Sequence, residues 1–205
     1  ALHPIILYDM LPNLTMHQQT GGNFFSFGRG LADGTEDYEA MWHNIVSAFK
    51  KHLLKKRNPQ LLAGYIRQVS ENAPDRSEAW RDAAVIDPDL QAVFVELQTA
   101  FTPSVSGYQR LMQLLSDENV SIFQFHQLKL GRKHEFMTDD DLAKLLLLLA
   151  ERKDGIRIAI GILSMRFHGV EPNQRVFSES LLDSGRKLLI LAYQIEHKNV
   201  SKNID

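Results

Sequence analysis

The chain has 205 residues, 44% hydrophobic and 23% charged, enough for one large or two small domains with a core that needs no covalent staple. It has no cysteine, which excludes disulfides and thiolate metal sites and favours a cytoplasmic setting. A formal net charge of −2 argues against a wholly basic nucleic-acid binder, and no apolar run approaches the ~18–20 residues of a membrane span.

Residues 1 to about 35 read as an irregular N-terminal segment. Ala1 to Ile5 lacks the basic region and long apolar core of a secretory leader. Ile5 to Tyr8 suits a short strand or one buried turn, and Pro12-Asn13 breaks it. The stretch Gly21 to Gly30 predicts a flexible loop carrying Phe24, Phe25, Phe27 and Arg29. Those four side chains are candidates for docking a partner. Three other readings stand beside that one: the aromatics and Arg29 stack on bases, the loop cradles a phosphate, or the phenylalanines plug into a helical core. The glycine spacing fits neither a Walker A loop nor a dinucleotide fingerprint.

Thr35 to Arg57 predicts an amphipathic helix, capped by Thr35, with Tyr38, Met41, Trp42, Ile45, Phe49, His52 and Leu53 on one stripe. Lys50, Lys51, Lys55, Lys56 and Arg57 crowd its C-terminal end. Such cations either complement the helix dipole or contact phosphate. Asn58-Pro59 and Asp87-Pro88 each place a capping side chain before a proline, the signature of a helix start. They open helices carrying Leu61 to Val69 and Leu90 to Phe101, with a short helix around Trp80 between them. Pro103-Ser104 restarts the pattern with Val105, Tyr108, Leu111, Met112 and Leu115.

Val120 to Leu130 fits strand and helix equally poorly, and Gly131 to Glu135 reads as a polar link. Arg132 and Lys133 in that link would extend a basic patch. Thr138 to His168 then predicts a helical hairpin on which the rest is built. Thr138 caps, Asp141 completes a capping box, and Leu142, Leu145, Leu146 and Leu149 form one face. Arg152 and Lys153 fall in the last turn, and Asp154-Gly155 stops the helix. Ile156 to Phe167 alternates like a strand, but its length favours a helix. Gly161 would admit a close neighbour. After a loop at Gly169 to Asn173, a final helix runs from about Phe177 to His197, with Leu181, Leu188, Leu189, Ala192 and Ile195 inward. Lys198 to Asp205 is polar and frays.

Helices of this rhythm, without a fixed repeat, predict an all-α fold: an irregular multi-helix bundle or helical-hairpin stack spanning 36–205. For chemistry, no two histidines stand at the His-x-x-x-His spacing. His134 and Glu135 with Asp139, Asp140 and Asp141 make the densest set of potential ligands, able to hold a divalent cation if His126 or His168 comes near, and a solvated link beside a capped helix explains it as well. No serine nucleophile elbow is present. Arg166 and His168 do not match the spacing of helical-hairpin nucleases. No catalytic residue, metal ligand or cofactor is assigned. The expected function is a non-catalytic interaction or scaffold domain whose partner is a protein or another domain of a larger chain. The alternatives are a nucleic-acid module using Lys50, Lys51, Lys55, Lys56, Arg57, Arg132 and Lys133, and a metal-dependent hydrolase around His134. No membrane partner is expected.

Overall fold

Every regular element is helical in a computed structural model that describes residues 4–16, 23–100, 105–168 and 176–201, with the side chains of 4–7 and 196–201 outside that description. The chain divides into two compact units, Ala1–Phe101 and Thr102–Asp205. No helix among the described residues is long and apolar enough to cross a membrane.

The first unit holds α1 (Pro4–Leu14), α2 (Phe24–Asp33), α3 (Tyr38–Lys50), α4 (Gln60–Asn72), α5 (Pro74–Ala84), α6 (Pro88–Gln91) and α7 (Phe94–Gln98). Residues 24–33, expected as loop, are a helix packed on α4. Asn23 starts it, its Oδ1 accepting from the Ser26 N–H at 3.0 Å. One of the glycines that suggest flexibility, Gly28, serves packing instead. A methyl group at Gly28 would lie 2.3 Å from the Leu61 carbonyl oxygen, so only glycine lets the two backbones cross this closely. Gln18 to Gly22 lies outside the described residues.

Helix α3 is shorter than its hydrophobic pattern predicts. Asp37, not Thr35, caps it, accepting from the Ala40 N–H at 3.0 Å. It ends at Lys50, and Leu53 is extended (φ −60°, ψ 140°) before a 3₁₀ turn at Leu54–Lys56. Lys55 and Lys56 are therefore not on the helix. The unit's core is a stack of rings: Trp42 lies 5.0 Å from Trp80 and 6.3 Å from Tyr65, nearly parallel to both. The polar edges are satisfied, with the Tyr65 hydroxyl donating to the Tyr38 carbonyl at 3.0 Å and Trp80 Nε1 to Glu39 at 2.9 Å. The Asp87-Pro88 signature holds, with Asp87 capping α6 and its Oδ1 accepting from the Asp89 N–H; the Asn58-Pro59 start is displaced by one residue, since Pro59 is itself the N-cap of α4 while Asn58 Oδ1 accepts from the Gln60 N–H. The helix expected from Pro88 onward breaks at Val93, giving α6 and α7.

The second unit holds α8 (Val105–Ser116), an irregular 3₁₀ segment (Ile122–Arg132), α9 (Asp139–Glu151), α10 (Gly155–Phe167) and α11 (Glu179–Ser201). The α9–α10 hairpin forms as the sequence predicts. Thr138 Oγ1 accepts from the Asp141 N–H at 3.1 Å, and Leu142, Leu145, Leu146 and Leu149 are buried. The close contact is at Gly155, where a methyl group would lie 1.7 Å from the Leu149 carbonyl oxygen, not at Gly161, which has ordinary clearance.

Arg152 is not in the last turn of α9; it is the residue after it. Its guanidinium donates to the carbonyls of Leu115, Asp117, Glu118 and Val120 at 2.8–3.2 Å. One side chain thus satisfies a carbonyl in the last turn of α8 and three in the turn that follows it. The Gly131–Glu135 link is not a solvated strand of chain. Gly131 and Arg132 both take left-handed backbone (φ 57° and 58°), and the turn they make drives His134 fully into the core.

Candidate functional site

The four expected docking residues lie on α2. Phe24, Phe25 and Phe27 are half-buried on the helix that covers α4. Arg29 Nε donates to Gln68 Oε1 at 2.9 Å, and its guanidinium lies 3.7 Å from Glu71. These groups are joined to their own fold.

The basic stretch is divided by structure into two sets. Lys50 pairs with Asp87 and approaches Asp89 at 3.9 Å. Arg57 is nearly buried. It donates to the carbonyls of His52 (2.9 Å), Lys50 (3.1 Å) and Asp89 (3.1 Å), and to Asp89 Oδ1 (2.7 Å), while lying 5.2 Å over the Phe49 ring. His52 Nε2 meets the Pro12 carbonyl at 2.6 Å and the Asn58 N–H donates to the Thr15 carbonyl at 2.9 Å, which ties the same loop to the end of α1. Lys51, Lys55 and Lys56 stay exposed, and so do Leu53 (66%) and Leu54 (58%). Arg132 and Lys133 belong to the second unit, where Arg132 donates to Glu135 and to the His168 carbonyl.

The second unit's buried polar cluster joins the hairpin to α11. Arg166, 4% exposed, donates through Nη2 to Asp139 Oδ1 at 2.6 Å and to the Met137 carbonyl at 3.1 Å. Asp139 Oδ2 accepts from the Ser178 N–H at 3.0 Å. His134 Nδ1 donates to the Leu128 carbonyl at 3.0 Å. Burial, aided by the nearby Arg166 charge and opposed by that hydrogen bond, pushes the imidazole below its usual range, so the ring is neutral. His134 Nε2 and Arg166 Nη1 are buried without a hydrogen-bond partner. His134 faces the core while Asp139 is bonded to Arg166, so this candidate ligand set is not brought together. Among the described residues no three His, Asp or Glu side chains group to hold a metal ion.

The third feature is apolar. Helix α11 spans 23 residues, whereas α9 and α10, the helices it packs on, span 13 each. At 1.5 Å per residue, α11 is about 34 Å long and its supports about 20 Å. It therefore outruns them. Leu181, Ser184 and Leu188 are buried, but Leu189 (65%), Ile190 (57%), Tyr193 (63%), Leu191 and Ile195 are exposed. Leu189 and Ile195, expected inward, face solvent: Leu189 lies on the side of α11 away from the buried Leu188, and Ile195 lies in the part of α11 that outruns α9. Beside this segment an apolar groove of about 360 Å³ opens between α10 and α11, lined by Ile160, Leu163, Phe167, Leu182, Gly185 and Leu189. Compared with protein-family models, curated proteins and solved structures, the chain matches none.

Two of these features were not read from the sequence. Leu53-Leu54 looked like the end of a helical stripe, and the overhang depends on relative helix lengths. The run Leu188 to Tyr193, apolar on all sides, was the available signal.

Proposed function

We propose that the chain is a non-catalytic helical interaction domain and that α11 is its docking element. One observation carries the reading: five apolar side chains, Leu189, Ile190, Leu191, Tyr193 and Ile195, stand exposed on consecutive turns of one helix. Scattered apolar side chains are normal on protein surfaces, but five exposed within seven residues of one helix, with Leu189 on the rim of an apolar groove, support an interaction site. The partner is a protein surface that supplies an apolar helix or groove of its own. Phe24, Phe25, Phe27 and Arg29 are a weaker choice, because α4 already takes much of their surface.

A photo-crosslinking residue placed at Leu189 or Tyr193 of the full chain, in the cell, tests this. The same probe at exposed Lys187 is the control. The expected result is a discrete protein adduct, with a second copy or another chain, from the two apolar positions and not from Lys187. Equal or absent crosslinking at all three positions overturns the reading.

A further inference from the structure

The α11 surface does not account for the loop that follows α3 in the first unit. Within six residues, Lys51 to Lys56, it exposes two leucines and three lysines. Exposed leucines in a mobile loop would be unremarkable, but this loop is held. Arg57 grips the carbonyls of Lys50 and His52 from beneath, His52 is bonded to Pro12, and Asn58 to Thr15. Part-buried bonds thus fix the backbone on both sides of Leu53 and Leu54 while leaving those side chains in water.

The charges are arranged as well. The carboxylates of Asp87 and Asp89 are already paired with Lys50 and Arg57, so they do not cancel Lys51, Lys55 and Lys56. Glu36, Asp37 and Glu39 lie at the opposite end of α3. That helix is therefore acidic at one end and basic at the other, about 20 Å apart. A third exposed aliphatic, Ile86, immediately precedes Asp87.

We propose that this loop seats the first unit on an anionic phospholipid surface, with Leu53 and Leu54 entering the headgroup–acyl boundary and Lys51, Lys55 and Lys56 contacting lipid phosphates and carboxylates. Aliphatic tips flanked by flexible lysines suit that interface, since the lysine stems lie along apolar surface while the ammonium stays with the headgroups. A nucleic acid fits less well. The loop exposes no aromatic ring to stack on bases, and its one arginine is engaged internally. The surface is one on which the protein lies, not one that it spans.

The test is sedimentation of the full chain with phosphatidylcholine vesicles, with and without phosphatidylserine, at low and high salt. Binding is expected only with phosphatidylserine and is weakened by salt. Replacing each of Lys51, Lys55 and Lys56 by Gln should lower vesicle affinity about fivefold per lysine. The pair Leu53→Ser and Leu54→Ser should lower it at least about tenfold. Both sets are exposed, so the circular dichroism spectrum should not change. A short DNA duplex and a poly-glutamate peptide are the competing probes. No binding to anionic vesicles at low salt, unaltered binding by the leucine pair, or DNA or peptide binding as tight as vesicle binding would each overturn the proposal. The crosslinking result at α11 is independent of all these outcomes.

Discussion

Gly64 on α4 lies directly against Phe25 on α2, so that a methyl group on Gly64 would stand 1.9 Å from the Phe25 carbonyl oxygen. The obstacle is backbone and cannot swing aside. Gly64→Ala should therefore destabilise the first unit by about 3 kcal/mol through overpacking. Gly30, in the same helix as Phe25, has nothing within 4 Å, and Gly30→Ala should stabilise by about 0.5–1 kcal/mol. Urea denaturation followed by circular dichroism separates the two.

This pair also shows what the sequence conveys and what it hides. Helical periodicity and cap-then-proline signatures are local, so the all-α class, the Thr138 cap and the α9 leucine face were legible. Gly28 and Gly64 are neighbours only across the fold. Read locally, Gly28 looks like loop chemistry; read with α4 in place, it is a crossing point. Arg152 sits beyond its expected place in the last turn for the same reason: the carbonyls it satisfies lie more than 30 residues earlier. The candidate sites were the least legible part. Nothing in Lys50 to Arg57 says which cations turn inward to Asp87 and Asp89, nor that α11 outruns its neighbours.

Arg166 and Asp139 form a nearly buried pair that ties α10 to the start of α9. Removing one partner leaves an uncompensated charge. Arg166→Met and Asp139→Asn should each destabilise the second unit by about 3–5 kcal/mol. The double variant should lose less than the sum of the two. Equal additivity in a denaturant cycle would mean the two side chains are not coupled.

His134 makes the second unit acid-sensitive. Its folded-state pKa lies below the ordinary 6.5, with burial the leading cause. The unfolded ring therefore takes its proton first as pH falls. The stabilising contribution is complete above about 6.5 and is lost as pH drops from there towards the folded value. The melting temperature should fall as pH drops below about 6.5. His134→Gln, whose amide can still donate to the Leu128 carbonyl, should flatten the slope. A residual slope from His126, which burial also pushes down, should remain.

Arg57 fixes the loop after α3. Arg57→Ala should cost about 2 kcal/mol, by removing charge-assisted bonds to three carbonyls and to Asp89. Arg57→Lys should recover only part of this, since an ammonium lacks the planar fork. Hydrogen exchange of residues 51–56 should quicken in both variants while α4 stays protected.

The central claim is that the exposed end of α11 binds protein and does little for the chain's own fold. The direct measurement is the pair of variants Leu189→Lys and Tyr193→Lys, read for both thermal stability and partner capture by the crosslinker at Ile190. The account predicts a melting temperature within about 2 °C of the parent, since exposed substitutions change stability by roughly 0.5 kcal/mol or less, together with loss of the adduct. A large fall in melting temperature, or an adduct that survives both lysines, would contradict it.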